Sequence, residues 1–197
     1  YVLQQILNYA QLFCDEINQP FDKRTIVVTA LTGVAATQVR GETVHSALKI
    51  SPRRGLQKCM VNSASAIELV KEWQNCRLVI IDEISFANEA LLKNINKALE
   101  ILKDNRNEKY GGISVLFSGD FHQLEPITGG ALFVNLSFEQ WHSWINCFVE
   151  LNGYHRFADK RFAELLRRLR IGKCTSQDFD LLDTRFCGDN IPEVMQV

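Results

Sequence analysis

The chain has 197 residues, 46% of them hydrophobic and 23% charged, with a formal net charge of -1. That is the balance of an ordinary globular protein with room for one sizeable domain or somewhat more. It excludes a uniformly basic nucleic-acid binder, though not a local basic groove, and no apolar run approaches the roughly 18 residues of a membrane span, so no membrane partner is expected.

The chain opens at Tyr1 in a helical pattern, with Leu3, Ile6, Leu7, Ala10 and Phe13 on one face. There is no basic start with an apolar stretch behind it, and no initiating Met, so neither a signal peptide nor a complete N-terminus is expected. Asn18, Pro20 and Asp22 end this helix. Thr25 to Ala30 is short, almost wholly apolar and β-branched, as a buried parallel strand is. Thr32 and Gly33 then open a small-residue helix through Val39. Pro, Gly and basic residues from about 49 to 64 predict a loop or small insertion, after which Ser63 is placed to cap a helix bearing Ile67, Val70 and Trp73.

Leu78 to Ile81 is a second buried strand, ending in Asp82 and Glu83. Leu91, Leu92, Ile95, Ala98, Leu99 and Leu102 mark a strong amphipathic helix. Tyr110, Gly111 and Gly112 turn into a third strand, Ile113 to Phe117, which ends in Ser118, Gly119 and Asp120. Cys147 to Leu151 is a fourth candidate strand. Beyond it, Phe162, Leu165, Leu166 and Leu169 share a helix face. Thr175 and Asp178 are spaced as a capping box for a helix carrying Phe179, Leu182 and Phe186. Strands alternating with helices predict βαβ units and a parallel sheet, with ligands at the carboxyl ends of the strands. The domain boundary is expected near Asn152 and Gly153.

The chemistry-bearing residues gather at those strand ends. A strand delivering Asp82 and Glu83 side by side suits a phosphoryl-transfer site, in which the first carboxylate holds Mg²⁺ and the second polarises the attacking water. A plain surface turn explains such a pair equally well when it stands alone. Gln123, in Gly119-Asp120-Phe121-His122-Gln123-Leu124-Glu125-Pro126, carries both a donor and an acceptor and can sense a γ-phosphate or orient water. Thr32 and Gly33 offer a helix start to a phosphate, or serve only as a cap. His45 alone reads first as a structural hydrogen-bonder. Seven basic residues between Tyr154 and Lys173 read mainly as a solvated helix face, Arg156 excepted because it precedes the helix. Trp141 and Trp144 are three apart, which favours packing over base stacking. The six cysteines stand singly, without C-x-x-C or zinc spacing, as reduced thiols do.

Taken in order, T-G-V-A-A, T-V-H-S-A, V-I-I-D-E-I-S and G-G-I-S-V-L-F-S-G-D-F-H-Q-L-E-P-I resemble the motif series of the PIF-type 5′-to-3′ DNA helicases of superfamily one. The likeness runs from about Thr25 to Arg185. It implies an α/β fold, a RecA-like P-loop NTPase with a parallel sheet flanked by helices, spanning residues 1–151. The start of a second motor domain follows at 152–197. It also implies Mg²⁺ on Asp82, a catalytic Glu83, a γ-phosphate sensor in Gln123 and an arginine finger in Arg156. Thr32, Gly33, Thr43 and His45 fall on the DNA side.

The activity so implied is ATP-dependent movement on single-stranded DNA and unwinding of forked duplexes, in repair, recombination and telomere maintenance. The compartment would be intracellular: nuclear or mitochondrial in a eukaryote, otherwise cytoplasmic. A monomer is the default expectation. The chain departs from the pattern in three ways. It has no G-x-x-x-x-G-K-[ST], it has Phe157 where the family has Gln, and it has Leu31 and Phe86 where the family has Pro and Met. Without the phosphate loop these 197 residues are expected to be inactive alone. The alternatives are a non-enzymatic remnant that binds nucleic acid or protein, and a nucleotide switch that separates no strands.

Overall fold

The computed structural model describes residues 2–51, 55–56, 64–151, 153 and 158–185, with no side-chain description at 55–56 and 64–66. By its internal contacts the chain divides into two compact units, residues 1–146 and 147–197.

In the first unit the expected strands form where the apolar runs lie: β1 (Ile26–Ala30), β5 (Leu78–Asp82) and β6 (Ser114–Phe117). A two-residue strand, β2 (Glu42–Thr43), joins them, giving the parallel order β2-β1-β5-β6. Register is fixed by burial. Val27 pairs with Val79 and Thr29 with Ile81, which turns one set of side chains to one face, and the alternate set includes Ala30 opposite Asp82. The central strands are almost fully shielded, with Val79, Ile80 and Ile81 at 1% exposure or less. Along β6 the three apolar residues are only half-buried, and it forms one edge of the sheet among the described residues.

The main core sits on the Val27–Val79–Ile81 face. It takes Val44 and Ala47 of α3 (Val44–Ala47), Trp73 of α4 (Ala64–Trp73), and Leu92, Ile95, Ala98, Leu99 and Leu102 of α5 (Glu89–Leu102). The last five follow the i, i+3, i+4 rhythm read from the sequence, and Asn88 caps the helix by accepting from Leu91 N at 2.8 Å. Lys103, just past α5, donates to the carbonyls of Trp73, Gln74 and Cys76 at 3.4, 2.7 and 3.3 Å, satisfying chain ends where α4 runs out. A smaller cluster packs Ala30 against Ala35 and Ala36 of α2 (Gly33–Gln38), where small side chains let the helix lie close. Trp144 packs against the main core, its ring 6.0 Å from that of Tyr110, as its spacing from Trp141 favoured.

The opening helix forms as α1 (Val2–Glu16), yet none of its residues is buried. The described part of the 49–64 segment contains a small antiparallel pair, β3 (Ile50–Ser51) with β4 (Gly55–Leu56), while the Ser63 cap lies outside the described residues. Cys147 to Leu151 is not a strand: it pairs with no strand among the described residues, and Phe148, Val149 and Leu151 are exposed. An apolar run becomes a strand only where another strand supplies its hydrogen bonds. The described residues contain no helix long and apolar enough to cross a membrane.

The sheet is followed by two short helices, α6 (Leu132–Asn135) and α7 (Phe138–Trp144). The second unit holds α8 (Lys160–Arg170) and α9 (Ser176–Asp183). The Thr175–Asp178 capping box is present, and Arg168 grips the Asp178 carboxylate with two bonds of 2.7 and 2.6 Å. Phe186, expected on the α9 face, lies outside the described residues. Four free thiols, Cys14, Cys76, Cys147 and Cys174, occur among the described residues. Burial pushes the Cys76 thiol up to about 11, so it is an inert core group.

Candidate nucleotide and nucleic-acid site

All four strands of the sheet run parallel, so their carboxyl ends lie along one edge. The register sets the order of what they carry: Thr43 beside Ala30, and Ala30 beside Asp82. Ser118 lies one step past the Ile81–Phe117 pair. At about 4.8 Å per strand the whole row spans roughly 14 Å. The acids read from the sequence and the threonines of the expected DNA side therefore belong to one edge, at opposite ends.

On the acidic half, Asp82 is half-buried and is held twice. Its carbonyl accepts from Leu31 N at 3.2 Å, and its Oδ1 accepts from the Ser118 hydroxyl at 2.5 Å. Glu83 follows in the left-handed region, at φ 60° and ψ 41°, an uncommon conformation for a residue with a β-carbon. That turn reverses the chain into a single 3₁₀ turn, Ile84–Phe86, and lets Ile84 N donate to Ser118 O at 3.0 Å. Gly119 is needed at this crossing, because a β-carbon there would stand 2.9 Å from Ile84 N.

From Gly119 the chain enters a turn organised by Asp120. Its Oδ1 accepts from His122 N at 3.0 Å, its carbonyl from Gln123 N at 2.9 Å, and its Oδ2 from Gln123 Nε2 at 3.4 Å. Gln123 is exposed, and among the described residues this long contact is what its amide makes. Phe121 anchors the turn, with ring centroids 5.7 Å from both Phe133 and Trp141.

On the other half, Thr32 caps α2 by accepting from Ala35 N at 3.1 Å, and Thr43 caps α3 by accepting from Ser46 N at 3.2 Å. Both hydroxyls thus hold helix starts. Gly33 faces open space, since a β-carbon there would meet nothing within 4 Å, and its neighbour Val34 is exposed. His45 is partly buried, and that burial holds its imidazole below the ordinary value, so it is neutral at pH 7. Arg156 lies outside the described residues. Ser118 and Asp120 were read from the sequence only as the residues that end the third strand. The part of Ser118 follows from pairing across strands, which no local pattern reveals, whereas that of Asp120 lies in bonds to residues two and three positions on.

Among the described residues no three His, Cys, Asp or Glu side chains converge. A lone strand-end aspartate does not make a metal cage. It does fit Mg²⁺, which keeps its waters and takes its other oxygens from substrate phosphates.

The parallel sheet, its flanking helices and the acidic strand ends define a RecA-like α/β domain. Two solved structures share the fold. The crystal structure of Pif1 helicase from Candida albicans matches with TM-score 0.73 and 25% identity, over 97% of this chain and 48% of that one. Pif1 helicase from Bacteroides, in complex with ADP-AlF3 and ssDNA, matches with TM-score 0.65 and 24% identity, over 98% and 51%. Residues 11–180 match the family model for PIF1-like helicases, and the chain belongs to that family. It is 34% identical over 155 residues to the ATP-dependent DNA helicase PIF1 of Homo sapiens and 32% identical over 155 residues to that of Xenopus laevis. Each match covers 77% of this chain and 24% of the relative, so the chain spans about a quarter of their length.

Proposed function

We propose that residues 1–151 are most of the first motor domain, and 152–197 the start of the second, of a DNA helicase that couples ATP hydrolysis to 5′-to-3′ movement on single-stranded DNA. The observation that carries this reading is the shared strand edge. Asp82, Glu83 and the Gln123 turn sit at its β5–β6 end, and Thr32, Gly33, Thr43 and His45 sit at its β1–β2 end. A motor needs its nucleotide and its track on one rigid element, so that a change at one is felt at the other.

In this reading Asp82 holds Mg²⁺. When bound, the ion neutralises charge on the phosphate oxygens. Glu83 takes a proton from the attacking water onto its carboxylate, and Gln123 leaves Asp120 to hydrogen-bond the γ-phosphate. Arg156 supplies positive charge from the second domain. Thr32 and Thr43 fix the two helix starts, so backbone N–H groups rather than hydroxyls face the strand. The half-buried apolar residues of β6, at one edge of the described sheet, support a further strand, with the phosphate loop behind it, beside β6 in the whole protein. The 197 residues contain no such loop and are proposed to be inactive alone.

The test is DNA-stimulated ATPase and fork unwinding by the whole protein that contains this chain. Turnover should rise with single-stranded DNA, forks with a 5′ tail should open in preference to forks with a 3′ tail, and Glu83→Gln should lower turnover by about 10²-fold or more. Turnover indifferent to DNA would sink the helicase reading. Glu83-dependent turnover by the 197 residues alone would sink the claim that they are inactive alone.

A further inference from the structure

Ser118 makes three bonds around the Asp82–Glu83 pair. Its N–H donates to Ile81 O and its carbonyl accepts from Ile84 N, both at 3.0 Å, and its hydroxyl donates to Asp82 Oδ1 at 2.5 Å. The first two fix the backbone on either side of the acids. The third is a short charge-assisted bond, of the kind that orients a carboxylate as well as stabilising it.

The placement follows from the sheet. Ile81 pairs with Phe117, so the next residues, Asp82 and Ser118, turn to the same face, and Gly119 lets β6 run close enough for the hydroxyl to reach. The bond occupies Oδ1 and leaves Oδ2 as the oxygen it does not engage. An aspartate at a strand end would otherwise sample several rotamers, and freezing them on binding costs free energy.

We propose that Ser118 is a positioning residue for the Asp82 carboxylate, fixing its rotamer through Oδ1 so that the group is set in advance to ligate a divalent cation. This rests on the reading of Asp82 as the metal-holding acid. The same residue begins the turn that carries Asp120 and Gln123.

The experiment uses the isotope-labelled whole protein that contains this chain, with ADP bound and Mn²⁺ as a paramagnetic probe of the Mg²⁺ position. Three-bond couplings report the Asp82 rotamer, and Mn²⁺-dependent broadening reports occupancy, with Asp82→Asn as the control that should lose it. Ser118→Ala should average the Asp82 rotamers and require about tenfold more Mn²⁺ for equal broadening. Ser118→Cys, nearly isosteric and a weak donor, should do the same if the alanine variant folds poorly. Ser118→Thr, which keeps the hydroxyl, should match the parent chain. Equal rotamers and equal Mn²⁺ response in the parent and the Ala and Cys variants would overturn the inference while leaving Asp82 as the ligand. No Mn²⁺ effect at Asp82 in the parent chain would overturn the metal reading itself, and the couplings would still show whether Ser118 holds the carboxylate.

Discussion

Asn88 and Thr128 tie the start of α5 to the loop after β6. The Asn88 amide accepts from Leu91 N at 2.8 Å through Oδ1 and donates to the Thr128 carbonyl at 2.9 Å through Nδ2. One side chain thus caps a core helix and fastens the far end of the Gln123 segment. Asn88→Ala should cost about 1 kcal/mol from the cap alone. Asn88→Asp keeps the acceptor and loses the donor, so it should hold the stability but loosen the loop. Denaturant unfolding reads the first effect and amide hydrogen exchange around Thr128 the second.

Gly41 is required by a close approach. A β-carbon on it would lie 2.3 Å from Val28 O, within the lateral pairing that places Thr43 beside Ala30. Gly41→Ala should therefore destabilise the unit by about 1–3 kcal/mol, the usual range for overpacking. Chemical-shift changes should centre on Thr43 and His45. A change confined to the surface of residue 41, with unchanged stability, would refute the argument.

His45 gives the first unit a pH dependence of known sign. Burial lowers its folded pKa below the unfolded value of about 6.5, so the unfolded chain binds more protons between the two values. The contribution is present above the unfolded pKa and is lost as pH falls through the folded one. Thermal midpoints recorded from pH 8 to pH 5 should fall, and His45→Gln should flatten that slope.

Asp178 acts in a lower window. The Arg168 guanidinium, followed by the Thr175 N–H, holds its carboxyl well below the usual carboxylate range. The α8–α9 pairing should be intact above the unfolded carboxylate value of about 4 and should loosen only as pH falls well below it. Arg168→Ala should raise the Asp178 titration toward the ordinary value, measurable from its carboxyl carbon shift.

The sequence carried the long elements because their physics is local. The β-branched run at 26–30 and the five core positions of α5 declare their structure without reference to anything distant. β2 has no such signal: Glu42 and Thr43 are a strand only because β1 offers them a partner. Cys147 to Leu151 shows the converse, a run of strand composition with no partner among the described residues. The strand-end acids were legible for the same local reason. The tie between Ser118 and Asp82 was not, because residues 36 positions apart meet only through a register that the sequence does not display.

Glu83 has a left-handed backbone that asparagine or glycine would adopt more cheaply, by about 1 kcal/mol or more. A laboratory selection for heat resistance alone would then favour Glu83→Gly or Glu83→Asn and discard the carboxylate proposed to drive hydrolysis. A selection for growth that depends on turnover would restore it. The sign of that conflict makes residue 83 a gauge of what a population of variants has been selected to do.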